Sequence, residues 1–195
     1  MTGEPGMARG TEQLPAGDVV RLLAEQHTRI RELFGEIRDT SGEPKRELLG
    51  QLRRTLVAHE TAEEMIVRPV TRAIPGGNRV AADRNAEEAE ATQLLAGLDR
   101  TSPSDPGFAA ALTRLEESVT RHARREETDE FPLLLATRSG PERMAMGLTL
   151  QAARLLAPTH PHNSTAGSTA AQYVFGPVAS VLDHVRDAAE RLLPH

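Results

Sequence analysis

Residues 112–133 read LTRLEESVTRHARREETDEFPL. Leu112, Leu115, Val119, His122, Glu126 and Leu133 recur at steps of three, four and seven, the spacing of one face of an α-helix. Residues 52–70, LRRTLVAHETAEEMIVRPV, repeat the arrangement with Leu52, Leu56, His59, Glu63, Ile66 and Val70. Both segments predict amphipathic helices whose apolar stripe contains His-x-x-x-Glu. An i,i+4 pair places its Cβ atoms about 5–6 Å apart on one face. An imidazole and a carboxylate so placed can converge on one centre.

Outward from these segments the helical pattern continues. Asp18 reads as an N-cap ahead of a stripe of Val19, Leu22, Leu23, Ile30, Leu33, Phe34 and Ile37, within which His27 takes an inward position. Ser41-Gly42 breaks that helix and Pro44 suits the first turn of the next. Pro75-Gly76-Gly77 is a strong breaker. A third helix is expected over 78–99, with Ala91, Leu94, Leu95 and Leu98 inward. The fourth runs from Phe108 to about Arg138, with a kink expected at Pro132. Four such helices joined by short loops specify an all-α, up-down-up-down four-helix bundle over 18–138. Residues 1–17 are polar and rich in Gly and Pro, and read as a disordered lead-in without a targeting signal. Residues 139–195 read as a helical C-terminal appendage. It comprises a short helix over 141–156, a Pro/Ser/Thr-rich link over 157–175 and an amphipathic helix opened by Pro177.

Composition narrows the function. The 195 residues include no Cys, which excludes disulfides, thiolate metal sites and a thiol nucleophile. A net charge of −5 with one Tyr, four Phe and no Trp argues against nucleic acid as a partner. No run reaches the roughly 20 apolar residues of a membrane span, so the expected location is the cytoplasm.

The chemistry lies in polar residues where a core is expected. A lone His on an apolar face is more often a satisfied core histidine, and a lone Glu more often snorkels to water. Two helices that both bury His and Glu shift that balance. An uncompensated buried carboxylate costs several kcal/mol unless it is paired or bound to metal. In helix 3, Glu88 lies three before Ala91 and seven before Leu95, although the run Glu87, Glu88, Glu90 reads equally well as a solvated face. The candidate metal-ligating set is His27, His59, Glu63, Glu88, His122 and Glu126. Mixed imidazole and carboxylate suits iron, manganese or zinc, and six ligands from four helices suit two ions with a carboxylate bridge. The chain has no Glu-x-x-His of the ferritin-like kind. His59-Glu60-Thr61-Ala62-Glu63 lacks the second His of a zincin.

These residues resemble the hemerythrin-like family, the HHE cation-binding domain: one His in helix 1, His-x-x-x-Glu in helices 2 and 4, and a His in helix 3. The likeness covers about residues 18–138 and is most specific from His59 to Pro69 and from His122 to Pro132. The tail resembles extensions on some bacterial members. Helix 3 departs from the pattern. Aligned on Leu94 and Leu95, Glu88 falls where the family carries His, and a slip of one residue would put Ala89 there. The resemblance implies a non-heme, di-iron centre that handles O2, peroxide or NO, or that senses or buffers iron. With Glu88 as a ligand the centre would be more anionic than its His-rich relatives, favouring the ferric state over reversible O2 carriage. Two rival readings are a metal-free helical scaffold acting as a protein-interaction module, and a hydrolase. The hydrolase is disfavoured by the lack of Gly-x-Ser-x-Gly and of a Gly-rich phosphate loop. His160, His162, His184 and His195 read as solvated tail residues.

Overall fold

A computed structural model of the chain describes residues 11–156. The expected link, the last helix and the four tail histidines lie outside the described residues. Six α-helices are seen among the described residues: α1 (Val19–Asp39), α2 (Gly42–Arg72), α3 (Gly77–Asp99), α4 (Phe108–Arg125), α5 (Phe131–Thr137) and α6 (Gly140–Leu156). Asp18 caps α1 as expected, its Oδ1 accepting from the Val20 N–H at 3.0 Å. Between α2 and α3 the chain reverses through Gly76 at φ +81°, a left-handed conformation that glycine adopts without steric cost.

α1 packs on α2 and α4, and α3 packs on the same two, so the four helices close into a ring with α1 and α3 at opposite corners. Their inner faces form two apolar clusters. One gathers Ile30, Phe34, Leu52, Leu56, Leu95, Leu112 and Leu115 with their neighbours. The other gathers Val20, Leu23, Ala62, Ile66, Phe131 and Leu134. The polar candidates come from the turns between these clusters: His27 between Ala24 and Ile30, His59 between Leu56 and Ala62, and His122 and Glu126 between Val119 and Phe131. A buried polar layer thus divides an apolar core.

Two features depart from the sequence expectations and a third adds to them. First, α4 does not continue to Arg138 with a kink at Pro132. It opens into a π-helical turn over Glu126–Glu130, in which the Phe131 N–H donates to the Glu126 carbonyl, and resumes as α5. The wider turn advances the phase by one residue, so Leu134 is fully buried where Leu133 was expected. Second, the lead-in is not disordered throughout. Thr11–Gln13 form a 3-10 turn, Thr11 is buried, and the Leu14 carbonyl accepts from Arg21 Nη1 at 2.9 Å. Third, α6 is docked along α1 and α2 and buries Leu150 in the second cluster. The dock is tight at Gly147, where a Cβ would collide with the Gly17 carbonyl oxygen. Arg143 Nε of α6 donates to Asp18 Oδ2 at 2.8 Å, tying α6 to the cap of α1. No described helix is long and apolar enough to cross a membrane.

Candidate metal centre

All six candidates reach the polar layer. His27, His59, Glu63, His122 and Glu126 are at most 5% exposed, and Glu88 is 9% exposed. Their ligand atoms fall into two overlapping groups of four, His27/His59/Glu63/Glu126 and Glu63/Glu88/His122/Glu126, each within 4.8 Å. Glu63 and Glu126 belong to both. Glu126 turns Oε2 to His27 Nε2 at 3.1 Å and Oε1 to His122 Nε2 at 3.3 Å. Glu63 turns Oε1 to His59 Nε2 at 3.5 Å and Oε2 to His122 Nε2 at 4.0 Å. Each carboxylate therefore spans the two groups, as the i,i+4 spacing allows.

The imidazoles are aimed by residues beside the ligands in sequence. His59 Nδ1 donates to Gln26 Oε1 at 2.8 Å, His27 Nδ1 to Glu127 Oε1 at 2.9 Å, and His122 Nδ1 to Glu87 Oε2 at 3.1 Å. A metal-ligating histidine characteristically has its other nitrogen held in this way, which fixes the ring and leaves Nε2 for the ion. The sequence reading missed Gln26, Glu87 and Glu127. Their signal was present: each lies where a side chain reaches the next helix, next to or one helical turn from an inward candidate.

Sequence reasoning also missed Arg68. This guanidinium is 0% exposed, an extreme position for an arginine. Nη1 donates to Glu130 Oε2 at 2.5 Å. Nη2 donates to Glu126 Oε1 at 2.6 Å and to Glu88 Oε1, and lies 3.5 Å from Glu63 Oε2. Thr71 Oγ1 donates to the other oxygen of Glu130 at 2.5 Å. Arg68 is five residues past Glu63, off the apolar stripe, and only its length returns its charge to the layer.

The electrostatics reflect crowding of charge in a dry layer. Burial pushes Glu63 up to about 8, with the Glu126 charge adding to it. Burial opposes ionisation of Glu126 as well, but His122, His27 and Arg68 outweigh it and hold its carboxyl well below the usual range. Burial would lower His27, yet its bonds to Glu126 and Glu127 lift it to about 9. His59 is driven well below its ordinary value by burial and by the neighbouring His27.

The residues fit a divalent cation. Both oxygens of the fully buried Glu63 and the Nε2 of His122 lack hydrogen-bond partners. Buried carboxylate oxygens without donors are costly unless a cation satisfies them. Two imidazole nitrogens and two carboxylate oxygens form a hard-to-intermediate donor set suited to iron, manganese or zinc.

Fold and layer together define a helical-bundle protein with a buried His/Glu cluster that could hold a cation. The chain belongs to the hemerythrin HHE cation-binding domain family, whose model matches residues 18–134. It is 27% identical over 138 residues to an uncharacterized hemerythrin-like protein of Schizosaccharomyces pombe, covering 70% of this chain and 68% of that one. It is 31% identical over 115 residues to a DNA nickase of Nostoc, covering 58% of this chain but only 32% of the nickase. A crystal structure of a hemerythrin HHE cation-binding domain-containing protein from Mycobacterium kansasii shares the fold, with TM-score 0.65 and 22% identity over 90% of this chain and 99% of that one.

Proposed function

We propose that this chain is a non-heme iron protein that handles O2, peroxide or NO, or that senses or buffers iron. The observation that carries the reading is the buried layer itself, in which Glu63 and Glu126 each present one oxygen to either side. His27, His59, Glu63 and Glu126 would hold the metal, with His122 and Glu88 on the far side of the same two carboxylates. Bound iron would supply one-electron chemistry and affinity for small ligands. The protein supplies a fitted space beside it. A cavity of about 10 Å³, enough for one water-sized molecule, is lined by His27, His59, His122, Ile30, Leu56 and Val119 among others. Its apolar wall of Ile30, Leu56, Ala91 and Val119 suits a diatomic ligand. Glu60 also lines it and is pushed up to about 8 by burial and the Glu88 charge.

Metal analysis tests the reading. Protein purified from iron-replete cells should carry iron, and chelation should lower its melting temperature. Glu126→Ala should abolish retention, because it removes an oxygen from both sides of the layer. Wild-type protein with negligible iron and unchanged melting after chelation would leave the metal-free scaffold as the better reading.

A further inference from the structure

The two sides of the layer are built on one plan. On α2 the order is His59-x-x-x-Glu63, then Arg68-Pro69; on α4 and the π turn it is His122-x-x-x-Glu126, then Phe131-Pro132, at identical spacing. His27 of α1 and Glu88 of α3 complete the two sides from opposite corners. The plan differs at two places. Beside His27 stands Phe131, its ring stacked on the imidazole at 5.8 Å with an interplanar angle of 6°. In the corresponding place beside Glu88 stands Arg68.

Arg68 occupies the second side electrostatically and sterically. The oxygens nearest its Nη2, Glu63 Oε2, Glu88 Oε1 and Glu126 Oε1, are the same three that surround His122 Nε2 at 3.3–4.0 Å. A metal ion using the second group would need those atoms. On the first side, among the described residues, Glu126 Oε2 and Glu63 Oε1 meet imidazole nitrogens and no guanidinium or ammonium. The two differences also balance when the ligating imidazole is neutral: Glu88 adds a negative charge relative to an unprotonated His27, and Arg68 adds a positive charge relative to Phe131. The guanidinium thereby offsets the extra carboxylate of the second side without an ion.

We propose that Arg68 is a built-in cation filling the second metal position. The chain then binds one metal ion, at His27, His59, Glu63 and Glu126, and Glu88 serves as the partner of Arg68 instead of as a ligand. This rests on the metal-binding reading above and replaces the two-ion expectation from the sequence.

Anaerobic titration of metal-free protein with Co(II), followed by calorimetry and by metal analysis after gel filtration, tests it. Wild-type chain should take up one Co(II), with the electron paramagnetic resonance signal of an isolated ion. Glu88→Gln, which keeps an acceptor for Arg68, should retain that ion. The double variant Arg68→Phe, Glu88→His copies the first side onto the second, leaves net charge unchanged and should bind two ions, with the signal per ion reduced by coupling. Two ions per wild-type chain would overturn the inference and leave the metal reading standing. No ion at all would overturn both. Loss of the ion in Glu88→Gln would show Glu88 to be a ligand and overturn the role given to it. A folded double variant that stops at one ion would overturn the role of Arg68. The wild-type count decides even if the double variant fails to fold.

Discussion

Gln26 shows how much of the centre is made by side chains that would never touch metal. Its amide oxygen accepts from His59 Nδ1 and so directs Nε2 toward Glu63. Gln26→Leu removes the acceptor while keeping the volume. We expect metal affinity, measured by competition with a chelator, to fall about 10–100-fold with unchanged stoichiometry. An unaltered affinity would mean that packing alone orients His59. The same distinction explains what could be read from sequence. His27, His59, Glu63, His122 and Glu126 were legible because each replaces an apolar residue in a 3–4 stripe, and all five are buried together. Glu88 was legible only as a position: the structure brings it to the layer, but against Arg68. Gln26, Glu87 and Glu127 adjoin inward residues and look like ordinary solvated positions until the neighbouring helix is in place. Arg68 lies 5 residues beyond Glu63, and no periodicity marks a side chain that curls back to the stripe.

The helices themselves were largely legible, because Leu, Ile and Val report phase wherever they occur. The π turn was not. Glu126 to Glu130 is a run of five polar residues with no apolar side chain to show which way the turn faces. Its consequence is visible in three dimensions: Glu126 and Glu130 share a face as any i,i+4 pair does, and the wider turn brings Phe131 round to that buried face as well. The docking of α6 was equally hidden, since an amphipathic stripe says that a face is covered but not by what. Leu150 is fully buried between α1 and α2, whereas Leu148, two residues earlier, is 62% exposed. Leu150→Ala should therefore cost about 2–5 kcal/mol in urea unfolding. Leu148→Ala should cost within about 0.5 kcal/mol. Equal, small effects for both would mean that α6 is not held against the bundle in solution.

A bundle with ionisable groups in its centre has a stability that follows their protons. In the metal-free protein, burial lowers His27 but its bonds to Glu126 and Glu127 lift it to about 9, against an ordinary 6.5. The folded chain thus keeps a proton that the unfolded chain releases. This contribution is complete below pH 6.5 and lost as pH rises through 9. Glu63, pushed up to about 8 from 4.5 by burial and the Glu126 charge, acts in the same direction: the fold increasingly resists its ionisation as pH rises from 4.5 to 8. Two groups oppose them at lower pH. The Glu126 carboxyl is held well below its usual range by His122 and His27 despite burial, so its contribution is lost on acidification. His59, kept neutral by burial and by His27, favours the fold as pH rises toward 6.5. Each proton by which the folded and unfolded states differ changes stability by about 1.4 kcal/mol per pH unit. The metal-free protein should therefore be most stable near pH 6. Its melting temperature should fall by roughly 10–20 °C between pH 6.5 and 9. A bound divalent ion takes the place of those protons, so the stabilisation it confers should grow over the same interval and flatten the fall. Thermal unfolding at matched ionic strength across pH 5–9, with and without Co(II), measures both curves. A metal-free melting temperature that holds steady or climbs between pH 6.5 and 9 would show that His27 and Glu63 do not carry their protons in the folded protein.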